Sequence, residues 1–243
     1  LASLEDPVEV ALNGVSQTQI NTNSGLTLNV GFRAILRQDP EVIAVGEIRD
    51  RSTAEVSFQA SLTGHLVLST FHAGSAAAVI GRLIEMDIEP YLIASTMNTV
   101  IGQRLVRRLC ETCRQQYSRS KLETDSINKV LGDLLPKSNA DITKVGEDLG
   151  YQNLPLSGQT AYTLFKAKGC PECTSGYKGR MGIYEVFSMS EAMEQLLLKQ
   201  TTASEVQAQA QVDGMLTMKQ DGYLKVLTGI TSMEEVVRVA ADS

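Results

Sequence analysis

No stretch of this 243-residue chain approaches the ~18 consecutive apolar residues of a membrane-spanning helix, and none has the order of a signal peptide. A membrane role would therefore need a partner. Basic residues are not in excess: Lys plus Arg number 22 against 28 Asp plus Glu, a net charge of -6 with a pI near 5.1. That balance leaves no electrostatic footprint for nucleic acid or for an anionic membrane surface. Internal repeats and low-complexity segments are missing. So is any Gly-x-x-x-x-Gly-Lys-Ser/Thr run, the loop whose backbone N–H groups cradle nucleotide phosphates while its Lys reaches the β and γ oxygens. Histidine is scarce, with His65 and His72 in one ten-residue window, and cysteine is confined to two Cys-x-x-Cys pairs.

What is present is enough for a folded core: 43% of the residues are apolar, and the length suits one or two domains. Over residues 1–108 short apolar runs alternate with helical patterns, the signature of an α/β core. Asn13-Gly14 between the short runs of Val8 to Asn21 predicts a hairpin. A helix is expected from about Val30 to Gln38, ended by Pro40, then a strand over Glu41 to Val45. Asp50 can cap the next helix, which Gly64 ends, and Leu66 to Ser69 reads as a strand. Helices are expected over Ala76 to Met86 and Tyr91 to Arg108. After Cys113 turn-forming residues thicken and periodicity fades, so residues 115–165 read as an irregular insert. From Ser190 the pattern is helical, with Thr202-x-x-Glu205 and Ser232-x-x-Glu235 as candidate capping boxes. The expected organisation is a core (1–108), a tetracysteine segment with its insert (109–187) and a small helical domain (188–243).

Chemistry concentrates where apolar runs end. Leu36 to Asp50 reads Leu-Arg-Gln-Asp-Pro-Glu-Val-Ile-Ala-Val-Gly-Glu-Ile-Arg-Asp, and Thr63 to His72 reads Thr-Gly-His-Leu-Val-Leu-Ser-Thr-Phe-His. Each places polar groups after a short β-type run, as a buried parallel strand does when it presents chemistry at its carboxyl edge. Glu47 is either a carboxylate for metal-assisted phosphoryl transfer or a cap for the next helix. His72 and His65 could each donate to a phosphate or be satisfied within the core. Arg33, Arg37 and Arg49 flank the strand, and arginine both stabilises phosphate charge and pairs with acids such as Asp39 and Asp50.

These runs resemble the secretion ATPase family, the type II secretion and type IV pilus assembly motors with a RecA-like core. The Walker B segment of that family matches Leu36 to Asp50, with Glu41 in place of Asp and Ala44 among the aliphatics. An Asp box matches Glu5-Asp6-Pro7-Val8-Glu9, a His box matches Thr63 to His72, and Gly176 to Val186 resembles the family's later segment. The resemblance covers roughly four-fifths of the chain and implies an α/β RecA-like nucleotide-hydrolase core lacking its phosphate loop, with that loop upstream in a longer protein.

It further implies a catalytic set of Glu5, Glu47, His72 and His65, with Glu47 at Mg²⁺ and Glu5 positioning or activating water, a role open also to Asp6 or Glu9. Asp6, Glu9, Arg33 and Arg37 would contact ATP. The implied machine is a cytoplasmic homo-hexamer, peripheral to the inner membrane. It would work with an inner-membrane platform protein to drive pilus assembly, secretion or DNA uptake, with no nucleic-acid partner of its own. The alternative is a zinc-stabilised interaction module carrying a non-catalytic ATPase remnant.

Cys110/Cys113 and Cys170/Cys173 supply four thiolates for tetrahedral Zn²⁺. Residues 114–169 lie between the pairs, far more than a simple zinc ribbon holds, so that segment is an insertion. Two disulfides or a redox pair are the alternatives. Reduced thiols in a cytosolic motor, together with Gly169 and Gly176 for tight turns, favour a closed, structural zinc site.

Overall fold

The computed structural model describes residues 1–118, 120–132, 134–135, 146, 163–199 and 201–241. Its first strand, β1 (Ala2–Glu5), lies between β2 (Ser16–Gln19) and β3 (Val42–Val45), and β4 (Leu66–Ser69) completes a four-stranded sheet in the order β2-β1-β3-β4. All three pairings are parallel. The Asn13-Gly14 signal therefore makes a turn but no hairpin: Gly14 takes a left-handed conformation at φ 85°, and the chain crosses over so that β2 runs alongside β1. The fold class is α/β with a parallel sheet, as expected.

Helices follow from caps and spacing. Thr27 accepts the Val30 N–H to start α1 (Leu28–Leu36), two residues earlier than periodicity alone suggested. Asp50 caps α2 (Arg51–Leu62) by accepting the Thr53 N–H at 2.8 Å, as its place in the sequence predicted. Gly31 of α1 sits directly over Leu4, where a Cβ would meet the leucine Cδ2 at 2.6 Å, so a larger residue here would make the buried Leu4 side chain shift. Leu4, Phe32, Ile35, Ile43 and Val45 are buried together beneath it. Ser75 caps α3 (Ala76–Glu85), and α4 (Pro90–Thr96) follows.

The helix expected over Tyr91 to Arg108 is a correction. Helix α4 ends at Thr96, and Thr99–Leu109 form the long strand β5, paired with β8 (Tyr177–Ser188). Val100, Val106 and Leu109 are buried while Ile101 and Leu105 are exposed; β-branched side chains here prefer a pleated surface, and a distant partner strand outweighs helical spacing.

The segment after Cys113 is more ordered than its composition suggested. Strand β6 (Gln115–Tyr117) pairs with β7 (Leu164–Lys166), and α5 (Lys121–Leu131) opens on a full capping box between Ser120 and Glu123. Residues 136–145 and 147–162 of the expected insert lie outside the described residues. The C-terminal region is helical as expected, with α6 (Glu191–Leu197), α7 (Ala203–Val212), α8 (Met218–Leu227) and α9 (Met233–Val239).

The compact units do not follow the three sequence segments. One comprises Leu1–Val100 with Phe187–Asp213, the other Ile101–Val186 with Gly214–Ser243. Helix α7 packs on α3 and α6 on α4 in the first, whereas α8 packs on α5 and α9 in the second. Apolar faces of the C-terminal helices are thus buried against different cores, which helical periodicity cannot reveal. In the second unit that core is built on Val106, Ile127, Leu131, Leu164, Ile183, Tyr223 and Leu224.

Candidate functional site

In a parallel sheet every strand delivers its last residue to the same edge, and here Glu5, Glu47 and His72 follow β1, β3 and β4. Gly46 brings the turn after β3 against β1: its N–H donates to Leu4 O at 2.7 Å, and a Cβ would meet that oxygen at 3.2 Å. Thr70 clasps the same turn to β4, its hydroxyl donating to Gly46 O at 2.6 Å and its carbonyl accepting the Ile48 N–H at 3.0 Å. These bonds carry His72 to Glu47, with Nε2 3.2 Å from Oε2.

Arg49 donates to Oε1 of Glu47. The guanidinium hydrogen bond holds the Glu47 carboxyl below its ordinary pKa against the opposing effect of burial, with charge from Arg49 and His72 adding to it. Oε2 is shielded from solvent and has no hydrogen bond of good geometry; the His72 nitrogen is at ion-pair distance but not in hydrogen-bonding alignment. We take Oε2 as an acceptor left open. Glu5 is also held below its ordinary range, by hydrogen bonds from Ser3 at 2.6 Å and Gln17 at 2.8 Å. Both carboxylates line one cavity of about 620 Å³, together with Asp6, Glu9, Arg49 and Asp50.

The remaining expected site residues divide. Asp6 and Glu9 line the cavity. Arg33 and Arg37 do not; both are exposed on the last turn and C-cap of α1. His65 precedes β4, at the amino edge of the sheet, where its Nδ1 lies 3.0 Å from Ala60 O and 3.1 Å from Thr63 Oγ1 at the end of α2. The structure brings Glu47 and His72 together and sets His65 apart from them by the length of β4. Thr22, Thr27, Asn29, Ser52 and Thr53 also line the cavity, and sequence reading missed them. The Thr27 and Asp50 caps were the available signal, because a capped helix start beside a strand end points its N-terminal turn at the same edge.

The four cysteines form a second candidate site. Their Sγ atoms lie within 4.8 Å of one another, with 3.9 Å between Cys110 and Cys170, 3.7 Å between Cys113 and Cys173, and 3.5 Å between Cys170 and Cys173. A tetrahedron of sulfurs around a metal at ~2.3 Å has edges of ~3.8 Å, so the thiols already have the spacing of four metal ligands. Each pair sits on a tight turn, with the Cys113 N–H on Cys110 O and the Cys173 N–H on Cys170 O, both at 3.2 Å. Gly176, at φ 84°, accepts the Cys110 N–H through its carbonyl, and a Cβ there would meet Ala167 Cβ at 2.6 Å. Burial pushes the Cys110 thiol up, but hydrogen bonds from the Thr112 backbone and neighbouring thiols outweigh it and bring it down to about 7. Cys170 is pushed up to about 12: the Glu172 backbone hydrogen bond favours its thiolate, but burial and contacts with the other three sulfurs prevail. Without a cation the nest accommodates one negative charge far better than several, and a divalent metal would relieve that restriction.

Residues 1–238 match the family described as "Type II/IV secretion system protein". The whole chain aligns at 42% identity with the type II secretion system protein E of Pseudomonas aeruginosa, covering 43% of that protein. It aligns at 36% identity with the type IV pilus assembly ATPase PilB of the same organism, covering 38% of it, and at 39% with the type II secretion system ATPase E of Vibrio cholerae, covering 43%. The chain thus spans less than half the length of these relatives. Among solved structures, the fold matches the ADP-bound pilus retraction motor PilT at a TM-score of 0.61 and 20% identity, over 98% of this chain and 51% of that one. It matches the Yersinia pseudotuberculosis ATPase DotB at 0.64 and 19%, over 100% and 49%. The chain belongs to the type II/IV secretion system protein family.

Proposed function

We propose that this chain is the Walker B and His-box portion of a hexameric motor ATPase that powers type IV pilus assembly or formation of a secretion pseudopilus. The phosphate loop would lie upstream in a longer protein. The observation that carries the reading is Glu47, a carboxylate at a parallel-strand end with one oxygen tied to an arginine and the other shielded and open, sharing a cavity with Glu5. Such an oxygen suits a hard divalent cation, which takes carboxylate and phosphate oxygens together.

Glu47, at that open oxygen, would hold Mg²⁺. The bound ion would supply charge neutralisation for the β and γ oxygens of ATP. Glu5, kept ionised, orients the attacking water and can accept its proton. His72, exposed beside Glu47, would donate toward the transferring phosphoryl group. Asp6 and Glu9 line the mouth of the same cavity. Arg33 and Arg37, exposed on α1, are free to meet ATP from a neighbouring subunit, and His65 supports the strand that carries His72. Strand β4 ends the described sheet with Leu66 and Leu68 half exposed, a place where an upstream strand can add.

Cys110, Cys113, Cys170 and Cys173 would hold a structural Zn²⁺. The relatives' names support a secretion or pilus-assembly machine; its cytoplasmic place and its inner-membrane platform partner belong to the same proposal. The decisive experiment is steady-state Mg-ATP hydrolysis by the longer protein. Glu47→Gln is expected to lower kcat by at least ~100-fold with nucleotide affinity retained, because it removes charge at the metal and leaves the phosphate cradle intact. Turnover near the parental rate would sink the assignment.

A further inference from the structure

The cavity has one carboxylate whose surroundings the motor reading does not explain. Glu5 Oε1 receives two hydrogen bonds, from the Ser3 hydroxyl at 2.6 Å and from the Gln17 carboxamide at 2.8 Å. Oε2 has none among the described residues. Ser3 is 3% exposed on β1, so its hydroxyl is fixed by the strand itself. Gln17 stands on β2 in parallel register with Ser3, on the sheet face that Ser3 shares with Glu5 two residues on, within reach of the Glu5 carboxylate.

The same carboxamide is fully used elsewhere. Its second N–H donates to Val10 O at 3.0 Å, and its oxygen accepts the Leu12 N–H at 2.7 Å. Gln19 adds a weaker tie, accepting the Val8 N–H at 3.3 Å. One side chain thus closes the loop after β1 and grips the carboxylate that opens it. An amide with both N–H groups donated and its oxygen accepting has a single orientation, so the plane of the Glu5 carboxylate is fixed, with one oxygen tied to the loop's anchor and the other left toward the cavity.

We propose that Gln17, assisted by Ser3, is a positioning residue that locks the Glu5 carboxylate in one orientation, presenting Oε2 alone to the water or nucleotide and coupling that orientation to the conformation of the 8–12 loop. This rests on the motor reading for the role of Glu5, not for the lock itself. Asp6, Glu9, Glu47 and Asp50 line the cavity as like charges and Arg49 as the opposite one, while the neutral donors Ser3 and Gln17 favour the ionised form of Glu5 against the opposing effect of desolvation. The loop then becomes a place where a neighbouring surface could act on catalysis without touching the phosphates.

The test combines carboxyl-carbon NMR titration of the 243-residue chain, with Glu5→Gln identifying the resonance, and steady-state kinetics of the longer protein. Gln17→Leu puts a shorter, apolar side chain on β2 and removes all three hydrogen bonds; Ser3→Ala removes one donor and leaves the loop anchored. The lock predicts that the Glu5 midpoint rises in each variant, because each removes a donor that favours the ionised form. It also predicts that the acid limb of kcat rises with it, that kcat falls ~10-fold or more in Gln17→Leu, and that KM for ATP stays within about threefold. Parental midpoints and parental kcat in both variants, with Glu5→Gln inactive, overturn the lock alone. Full turnover in Glu5→Gln overturns the role of Glu5 and the catalytic meaning of the lock together.

Discussion

Glu47 in the first unit and Glu235 in the second are both carboxylates paired with arginine, and they are used in opposite ways. Glu235 is 1% exposed and saturated: it accepts the Arg107 backbone N–H and Nε at 3.0 Å and Nη2 at 2.7 Å, and Nη2 and Nε of Arg238 at 2.6 and 3.1 Å. Arg107 itself stacks on Tyr177, 4.2 Å from the ring centre. Burial raises the Glu235 carboxyl, but these donors outweigh it and bring the pKa down to about 2. Glu47 has one oxygen engaged and one open. A carboxylate with every acceptor site filled is a fastener; one left with a desolvated, unfilled oxygen is poised for a ligand.

The cysteine site bears most heavily on that contrast, because it would make the second unit a wholly structural body. Zinc–thiolate binding is worth on the order of 10–16 kcal/mol in small peptides. Elemental analysis should find one zinc per chain, and Cys170→Ser should abolish it. Hydrogen exchange should then accelerate around Cys110 to Tyr117 and Leu164 to Tyr177, while β1, β3 and α2 keep their protection. A metal-free wild type, or exchange rising equally in both units, would leave the thiols without a structural role.

Glu235→Gln tests the fastener directly. It leaves two arginines facing a neutral amide, and since both guanidiniums are about half exposed the loss should be roughly 2–3 kcal/mol, below the full cost of breaking a buried ion pair. Chemical denaturation followed by probes in the second unit would measure it. An effect under ~0.5 kcal/mol would place Glu235 with ordinary surface pairs.

The same residue sets a pH dependence. Its folded pKa is depressed to about 2, so its contribution is fully present above the unfolded value near 4.5 and is lost as pH falls from there through about 2. Denaturation midpoints of the second unit should therefore drop between pH 5 and pH 2 in the wild type and less so in Glu235→Gln. Equal slopes would assign acid sensitivity to other groups.

The two histidines give the smallest expected effects and separate function from support. His72→Ala in the longer protein should lower kcat about tenfold with little change in melting temperature. His65→Ala should cost about 1 kcal/mol of stability through its lost helix-end hydrogen bond, with kcat near parental. The reverse pattern would exchange their roles.

Much of this was legible in the residues themselves. Asp50 as a helix cap, β3 and β4 as strands, and Thr202 with Glu205 as a capping box all depend on neighbours a few positions away, where sequence and geometry are nearly the same thing. The second candidate box shows where that stops. Ser232 caps α9 as expected, but the Glu235 carboxylate turns away to Arg107, a partner that helix rules cannot see.

By itself, the sequence determined which groups are available: the carboxylates at strand ends, the four thiols in two pairs and the capped helices that separate them. Only the tertiary structure decided how they are spent. It made β2 parallel to β1 so that Gln17 reaches Glu5, turned residues 99–109 from helix to strand, and put His72 at the Glu47 edge and His65 at the opposite one. It also drew α6 and α7 to one unit and α8 and α9 to the other. Caps and periodicity act within a turn or two of chain, whereas strand register, burial and hydrogen-bond partners are settled by segments many residues apart that meet only when the whole sheet and core form.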